Sequence, residues 1–564
     1  MRRIFAAFLV FLGACNGDSG IVADLVIENA NVYTVNTAQP QAQAVAIRDG
    51  KIVFVGSTEA AQKFKGKKTE TIDAGGKFLM PGFIEGHGHI HGMGDMLMNL
   101  NLMQARNWEE IVSMVAESAK RAKPGEWIVG RGWHQEKWDH VPVRNYMGYP
   151  YYEDLDKVTP NNPVLLTHAS GHGSLVNGMA LKEAGITDKT VSPSGGEIVK
   201  DKEGHIVGML EERAQGLLYA AYQKWESKRS VQELDAEFEK AIELAEKECL
   251  RNGVTSFVDA GSSFPQVAHM KRLAEAGKLS IRHWMMVRER MDALQKNASV
   301  LPIVDAGNAH LTVKAIKVSL DGALGSYGAW FLKPYADKKG FYGQNTFDTT
   351  ELRDIAAFSW ERNLQLCVHA IGDRANRETI DIFSEQIKKN KTKDHRWRIE
   401  HAQHVNPAEI PRFAEWHIIA SMQGIHCTSD APFVVKRLGE ERAENGAYMW
   451  RAFMNAGVLV NNGTDVPVEN IDPFANFYSS VTRKLNDGSE FYPAQKMTRT
   501  EAIYSYTLAN AKSQFEEAQK GSIEVGKFAD LILLSDDLIN CPEENIKQTK
   551  VLMTIVGGKQ LYKN

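Results

Sequence analysis

The spacing of apolar residues changes twice along the chain. From about residue 21 to 72, and again from about 529 to the end, they come in short runs broken by turn residues. Residues 44–47 and 52–55 flank Arg48-Asp49-Gly50-Lys51, a sequence suited to a tight hairpin. Residues 529–534 and 552–556 read as strands, and Gly557-Gly558 turns the chain into residues 559–562. Neither end carries enough strands to bury a face alone. Together they predict one small β-sandwich module.

Between the ends, apolar runs of strand length alternate with longer stretches at helical spacing, the pattern of βα units around a parallel sheet. Eight runs qualify: 83–84, 254–258, 284–287, 315–318, 364–369, 397–401, 418–423 and 458–462. Residues 231–250 predict one of the intervening helices, stopped by Asn252-Gly253. Eight such units predict an α/β fold, a (β/α)8 TIM-type barrel. Residues 95 to 230 interrupt the pattern and predict an insertion over the barrel mouth. The expected boundaries are 1–20 for a leader and tether, 21–76 and 520–564 for the sandwich, and 77–519 for the barrel with its insertion.

Length and composition fit this picture. The chain has 564 residues, 43% hydrophobic and 24% charged, enough for a large core. A net charge of −4 without like-charge blocks argues against a nucleic-acid partner. The first residues read differently. Arg2 and Arg3 precede an apolar run, 4–12, too short to span a bilayer, and Leu12-Gly13-Ala14-Cys15 resembles the bacterial lipobox. The expectation is a signal peptide, a lipid anchor on Cys15 and a place in the cell envelope, at the outer membrane or on the periplasmic face of the inner one. The later cysteines, Cys249, Cys367, Cys427 and Cys541, form no Cys-x-x-Cys pair and are expected to be mostly buried free thiols.

Candidate chemistry collects at predicted strand ends. In Pro81-Gly82-Phe83-Ile84-Glu85-Gly86-His87-Gly88-His89-Ile90-His91, strand periodicity would put His87, His89 and His91 on one side, with the glycines leaving room for ligands to converge. Imidazoles on one face clamp a divalent metal. His369 and His401 close two further strands, and Asp465 follows the eighth. In a parallel barrel these ends meet at one face. A carboxylate there can ligate metal and accept a proton from water. Lys317 lies among apolar neighbours on the fourth strand, a costly place for a cation unless it is paired or modified. Trp133, His134, Gln135 and Trp138 either line the pocket or form core beneath the insertion. Gln423 and His426 end the seventh strand and would touch substrate or support the site. No Gly-rich phosphate loop and no Gly-x-Ser-x-Gly motif occurs.

This set resembles the amidohydrolase superfamily, and more closely its family 3 branch, which includes the N-substituted formamide deformylases. Similar wording runs through Gly253–Gly261, Asp321–Ser326, His369–Ala375, Ile399–Gln403 and Gly521–Asp530. The resemblance implies His87, His89, His369, His401 and Asp465 as metal ligands, Asp465 as the catalytic proton acceptor, and Lys317 as a carbamylated bridge if two ions bind. Zinc suits such donors. It also implies a substrate contact at His172, where the family has a similar Gly-His. Glu85 stands where Asp is commoner, and Tyr327 where this branch often has Arg, which leaves substrate recognition open. The expected reaction is cleavage of a non-peptide carbon–nitrogen bond, an amide or N-substituted formamide, by metal-activated water on a small-molecule substrate. Ester hydrolysis, ring deamination and a non-catalytic lipid-anchored binding protein are the alternatives. A homodimer is left open.

Overall fold

A computed structural model describes residues 20–564; the expected leader and Cys15 lie outside them. Eight strands form the barrel: β1 (Phe83–Gly88), β2 (Val254–Ser262), β3 (Arg282–Val287), β4 (Leu311–Ser319), β5 (Gln365–Ala370), β6 (Arg398–His401), β7 (Ile419–Gln423) and β8 (Val460–Gly463). Each pairs in parallel with the next. Near the mouth the circuit closes through side chain and loop: Asp465 N donates to His87 O at 2.7 Å and Thr464 N to Glu85 Oε1 at 2.6 Å.

Inward positions alternate with outward ones, as a strand requires. Low in the barrel they are filled by Val258, Ala260, Trp284, Met286, Ala315 and Cys367, with Phe515 packed against them. This apolar layer makes the barrel a packed core, not a pore, and leaves the upper interior to polar groups. Close approach explains the glycines of β1. A Cβ on Gly86 would stand 2.3 Å from Asn462 O, and one on Gly88 2.6 Å from Phe257. They admit neighbouring strands rather than ligands. The helix Val231–Arg251 begins with a capping box between Ser230 and Glu233 and packs Ala241, Ile242, Ala245 and Cys249 inward. The four cysteines among the described residues are free, and three are buried.

The two chain ends do meet. Strands Leu25–Glu28, Ala44–Arg48, Lys51–Gly56 and Glu70–Asp73 make one sheet; Asn31–Tyr33, Gln41–Ala42 and Phe78–Pro81 join the C-terminal strands Leu531–Leu534, Val551–Val556 and Lys559–Lys563 in another. Leu25, Ile27, Val45 and Ile47 of the first share a core with Val32, Leu79, Leu531 and Ile555 of the second. The hairpin at Asp49-Gly50 has positive φ at both residues, 51° and 75°, the turn whose twist matches its strands.

The insertion is more than loops over a mouth. Strands Leu100–Asn101, Ile128–Trp133, Val164–His168, Gly173–Val176, Gly196–Lys200 and Ile206–Glu212 form one mixed sheet. Val164 and Leu166 pack with Trp108, Ile111 and Trp133 on one face, and Leu165 with Trp127, Val176 and Leu210 on the other. Two buried faces make this cap a folded layer with its own core. No helix among the described residues is long and apolar enough to cross a membrane.

Candidate metal centre

His87, His401 and Asp465 come together at the top of the barrel, all buried, with one ligand atom from each lying within 4.8 Å of the others. Strand periodicity carries Glu85 and His87 inward from β1. His87 Nδ1 bonds the carboxylate of Glu400, so its Nε2 faces Asp465 Oδ1 at 3.5 Å. His89 follows the strand, and its Nε2 lies 3.2 Å from the same oxygen. His401 Nδ1 bonds Gln423 Oε1 at 2.7 Å, leaving its Nε2 to the centre. The His369 ring lies 4.4 Å from that of His401.

The electrostatics suit ligands. Burial, with help from the charge of Lys317, pushes His87 down to about 4. Burial likewise holds His369 and His401 well below the usual histidine range. These imidazoles are therefore neutral, as ligation demands. Burial opposes ionisation of Asp465, but His87, His89 and His401 hold it well below the carboxylate range. Arg398 and His87 do the same for Glu400 against its burial. Lys317 is buried on β4, and burial pushes its ammonium down to about 8 against the pull of Glu400 and Asp465. Lys314 instead lies over the Phe515 ring at 4.3 Å.

Does this set fit a metal ion? Asp465 Oδ1 and His369 Nε2 are buried without a hydrogen-bond partner, although imidazole nitrogens surround the former. Donor atoms that converge without bonding one another, on neutral imidazoles and an ionised carboxylate, fit a divalent cation. Among the described residues that oxygen meets imidazole nitrogens, His89 Nε2 at 3.2 Å and His87 Nε2 at 3.5 Å, and a buried carboxylate oxygen left unbonded costs about 1–3 kcal/mol.

Other predicted residues fall elsewhere. His91 does not share the face of His87. The strand stops at Gly88, Asp259 Oδ1 takes Ile90 N at 3.1 Å, and a helix starts at Ile90. His91 then stacks on Phe238 and pairs with Asp95 at 3.2 Å. Gln423 has its side-chain oxygen engaged by His401, which makes it a support for that ring. His426 is buried, its ring stacked 6.2 Å from that of His401 and its Nε2 without a partner. His172 sits in the cap, Nδ1 on Glu212 Oε2 at 3.0 Å. Trp133 is fully buried in the cap core, with Trp138 packed against it, and the ring of His134 lies 4.5 Å from that of His168. Tyr327 bonds Asp337 at 3.1 Å beneath the Arg437 guanidinium.

Glu85, Glu400 and Asp321 are the carboxylates whose roles the spacing alone did not reveal. Glu85 binds Thr464 N, Thr464 Oγ1 and Tyr506 Oη, tying β1 to the loop that carries Asp465; burial raises it to about 7. Asp321 takes Trp330 N, Ile371 N and Gly372 N and lies 3.4 Å from His369 Nε2.

Comparison with known proteins agrees. The amidohydrolase family pattern matches residues 70–562. Protein LONG AFTER FAR-RED 3 of Arabidopsis thaliana is 32% identical, over 96% of this chain and 92% of that protein. The N-substituted formamide deformylase of Arthrobacter pascens is 27% identical, over 96% and 98%. A metal-dependent hydrolase of Pyrococcus horikoshii superposes with a TM-score of 0.75 at 25% identity, over 92% of this chain and 99% of that one. By its sequence and its barrel, this chain belongs to the amidohydrolase family and is a metal-dependent hydrolase.

Proposed function

We propose that the protein hydrolyses a carbon–nitrogen bond outside peptides, an amide or N-substituted formamide, in a small molecule. The observation that carries this reading is the convergence of His87, His401 and the unpartnered Asp465 Oδ1 on one point, with His89 and His369 beside them. A bound divalent ion supplies Lewis acidity, polarising the carbonyl and lowering the pKa of water. Asp465, kept ionised by its histidine neighbours, takes the proton of the attacking water at its carboxylate and passes it to the leaving nitrogen. His426, whose Nε2 is buried without a partner, is the proposed hydrogen-bond partner of the substrate oxygen, and His172 the proposed contact from the cap. Glu400 and Gln423 hold the rings of His87 and His401 in register. The relationship to a formamide deformylase supports the bond type. Ester cleavage and ring deamination would use the same donors, and a substrate panel separates them.

Lys317 is the proposed carbamylated ligand. An amine depressed to about 8 by burial has an accessible neutral form, and its reaction with carbon dioxide releases a proton and leaves an anion suited to two cations. Zinc is the proposed metal. The test is hydrolysis by the metal-stripped and zinc-reloaded protein, with metal analysis and intact mass of wild type and Lys317→Ala. Stripping and Asp465→Asn are each expected to lower kcat by about 10³-fold or more, and Lys317→Ala to halve the metal content. Activity that survives both stripping and Asp465→Asn rules the mechanism out. One ion in wild type and variant alike, with equal activity, removes Lys317 from the ligand set.

The lipobox-like segment supports a second proposal, anchoring in the cell envelope through an acylated Cys15. Cys15→Ser is expected to move the protein from the membrane to the soluble fraction; membrane-bound Cys15→Ser protein would end the idea.

A further inference from the structure

Two guanidinium groups, Arg288 at the end of β3 and Arg131 on the cap, form no ion pair among the described residues. Arg288 follows the last residue of β3. Its Nη2 donates to Ser319 Oγ at 3.1 Å. Ser319 pairs in register with His369 and lies two residues beyond Lys317, on the same face of β4. The stem of Arg288 crosses Gly261 at the end of β2. A Cβ on that glycine would stand 2.9 Å from Arg288 Cδ, so the glycine makes way for the arginine. Arg131 comes from the cap strand Ile128–Trp133. Its Nη2 donates to Ala169 O at 3.0 Å, and its Nε is buried without a partner. The turn over it, at Gly171, leads directly into His172.

Among the described residues neither arginine forms an ion pair, whereas Arg290, two residues after Arg288, pairs with Glu351. Both feel the charge of Asp465, and burial lowers both pKa values. Arg288 is nonetheless exposed to water. Its stem lies against Gly261 while its tip is open to water. The nearby carboxylates are already committed: Glu400 to Arg398 and His87, Asp465 to the metal centre. Two cations without an ion pair of their own, sharing the field of Asp465 with a site that gathers a divalent cation, repel that cation. An anion that arrives with the substrate would remove that cost. A guanidinium fork matches a carboxylate in shape and charge, which a lysine would not.

We propose that Arg288 and Arg131 bind an acidic group of the substrate, and that the amides cleaved therefore carry a carboxylate, as N-acyl amino acids do. The assignment rests on the hydrolase reading for the bond broken, but the anion subsite stands or falls separately. Two measurements keep them apart. Calorimetric binding of succinate and of succinamide to wild type, Arg288→Met, Arg288→Lys and Arg131→Met tests the subsite. Turnover of N-acetyl-leucine and N-acetyl-leucinamide by the same proteins tests its use. Succinate is expected to bind at least tenfold more tightly than succinamide. Arg288→Met should lose that preference with its fold intact by circular dichroism, Arg288→Lys should restore part of it, and Arg131→Met should weaken succinate severalfold. kcat/KM should favour the acid over its carboxamide at least tenfold in wild type only. Succinate affinity unchanged within twofold in both Arg→Met variants overturns the proposal, as does equal kcat/KM for acid and carboxamide. Arginine-dependent succinate binding without hydrolysis of any amide would keep the subsite and sink the hydrolase reading.

Discussion

His401 and Asp465 are both non-glycine residues in the left-handed region, with φ of 73° and 61°. Such backbone costs about 1–3 kcal/mol and persists where the surroundings impose it, commonly at functional sites. Here it has a visible use. Arg398 and Glu400 point inward from β6, so a regular strand would turn His401 outward; the change of hand brings it back beside His87. Glu400 then does two things, accepting from Arg398 Nε at 2.6 Å and from His87 Nδ1. Glu400→Gln keeps the shape and removes the charge. Metal affinity is expected to fall about 10- to 100-fold, the usual effect of losing a ligand's supporting carboxylate. Stability should fall by about 3–5 kcal/mol, because Arg398 is left buried opposite a neutral amide. Chelator competition and denaturant unfolding measure the two, and a variant that holds metal within twofold of wild type would deny Glu400 this role. Residue by residue, what could be read was position on a strand: His87 by its spacing, Lys317 by its apolar neighbours and His369 by closing an apolar run. The same spacing misdirected His91, because nothing in the local pattern says that the strand ends at Gly88. The pairing of Glu400 with a histidine 313 positions away is a tertiary fact with no local signature.

Elements hold the centre by gripping the seam between β1 and β8. Asn510, on the helix Leu508–Ser513, donates to Ile84 O at 2.6 Å and Asn462 O at 2.9 Å. The preceding helix, Arg499–Ser505, starts with a capping box between Thr498 and Glu501. Arg451 grips Glu501 through two bonds of 2.6 and 2.8 Å. That pairing, with the cap, holds the Glu501 carboxyl at about 2 against an ordinary 4.5. A depressed acid binds its proton later in the folded state than in the unfolded one. Its contribution is thus present above pH 4.5 and is lost as pH falls from 4.5 towards 2. The pair is partly exposed, so solvent screening limits its worth to about 1 kcal/mol. Arg451→Ala is expected to lower stability by about that much at neutral pH and to flatten the acid limb of the stability curve. An unchanged acid limb in Arg451→Ala, followed by denaturant unfolding from pH 6 to 3, would place the proton uptake on other groups. The eight barrel strands were legible because each buried strand is a compact apolar run between turn signals. The sheet inside the insertion was not, because its strands pair out of sequence order, 196–200 beside 206–212 and then 173–176, and its core forms only once those pairings exist.

At the scale of the molecule, the sandwich is a clamp on the barrel as well as an appendage. Phe78–Pro81, a sandwich strand, runs through Gly82 straight into β1 and so into His87. Gly82 N donates to Asp530 O at 3.0 Å. The Asp530 carboxylate takes Arg282 of β3 through bonds of 2.7 and 3.1 Å and Gly557 N at 2.8 Å, with both charged side chains buried. The Arg282 guanidinium lies 3.7 Å over the Phe528 ring. One residue near the C-terminus therefore joins the third barrel strand to both halves of the sandwich. Removing it strands a buried cation, which is worth about 3–5 kcal/mol, more than an exposed pair could contribute. Asp530→Ala is expected to lose that much stability and to separate unfolding of the sandwich from that of the barrel, so that calorimetry shows a new, earlier transition. Because the loosened strand 78–81 is the lead-in to His87, metal affinity should fall with it, although Asp530 touches no ligand. Asp530→Asn, which keeps the hydrogen bonds to Gly557 N and part of those to Arg282, should fall between. A variant Asp530→Ala with a single transition at the wild-type midpoint and unaltered metal binding would show that the two units are held by apolar contact alone.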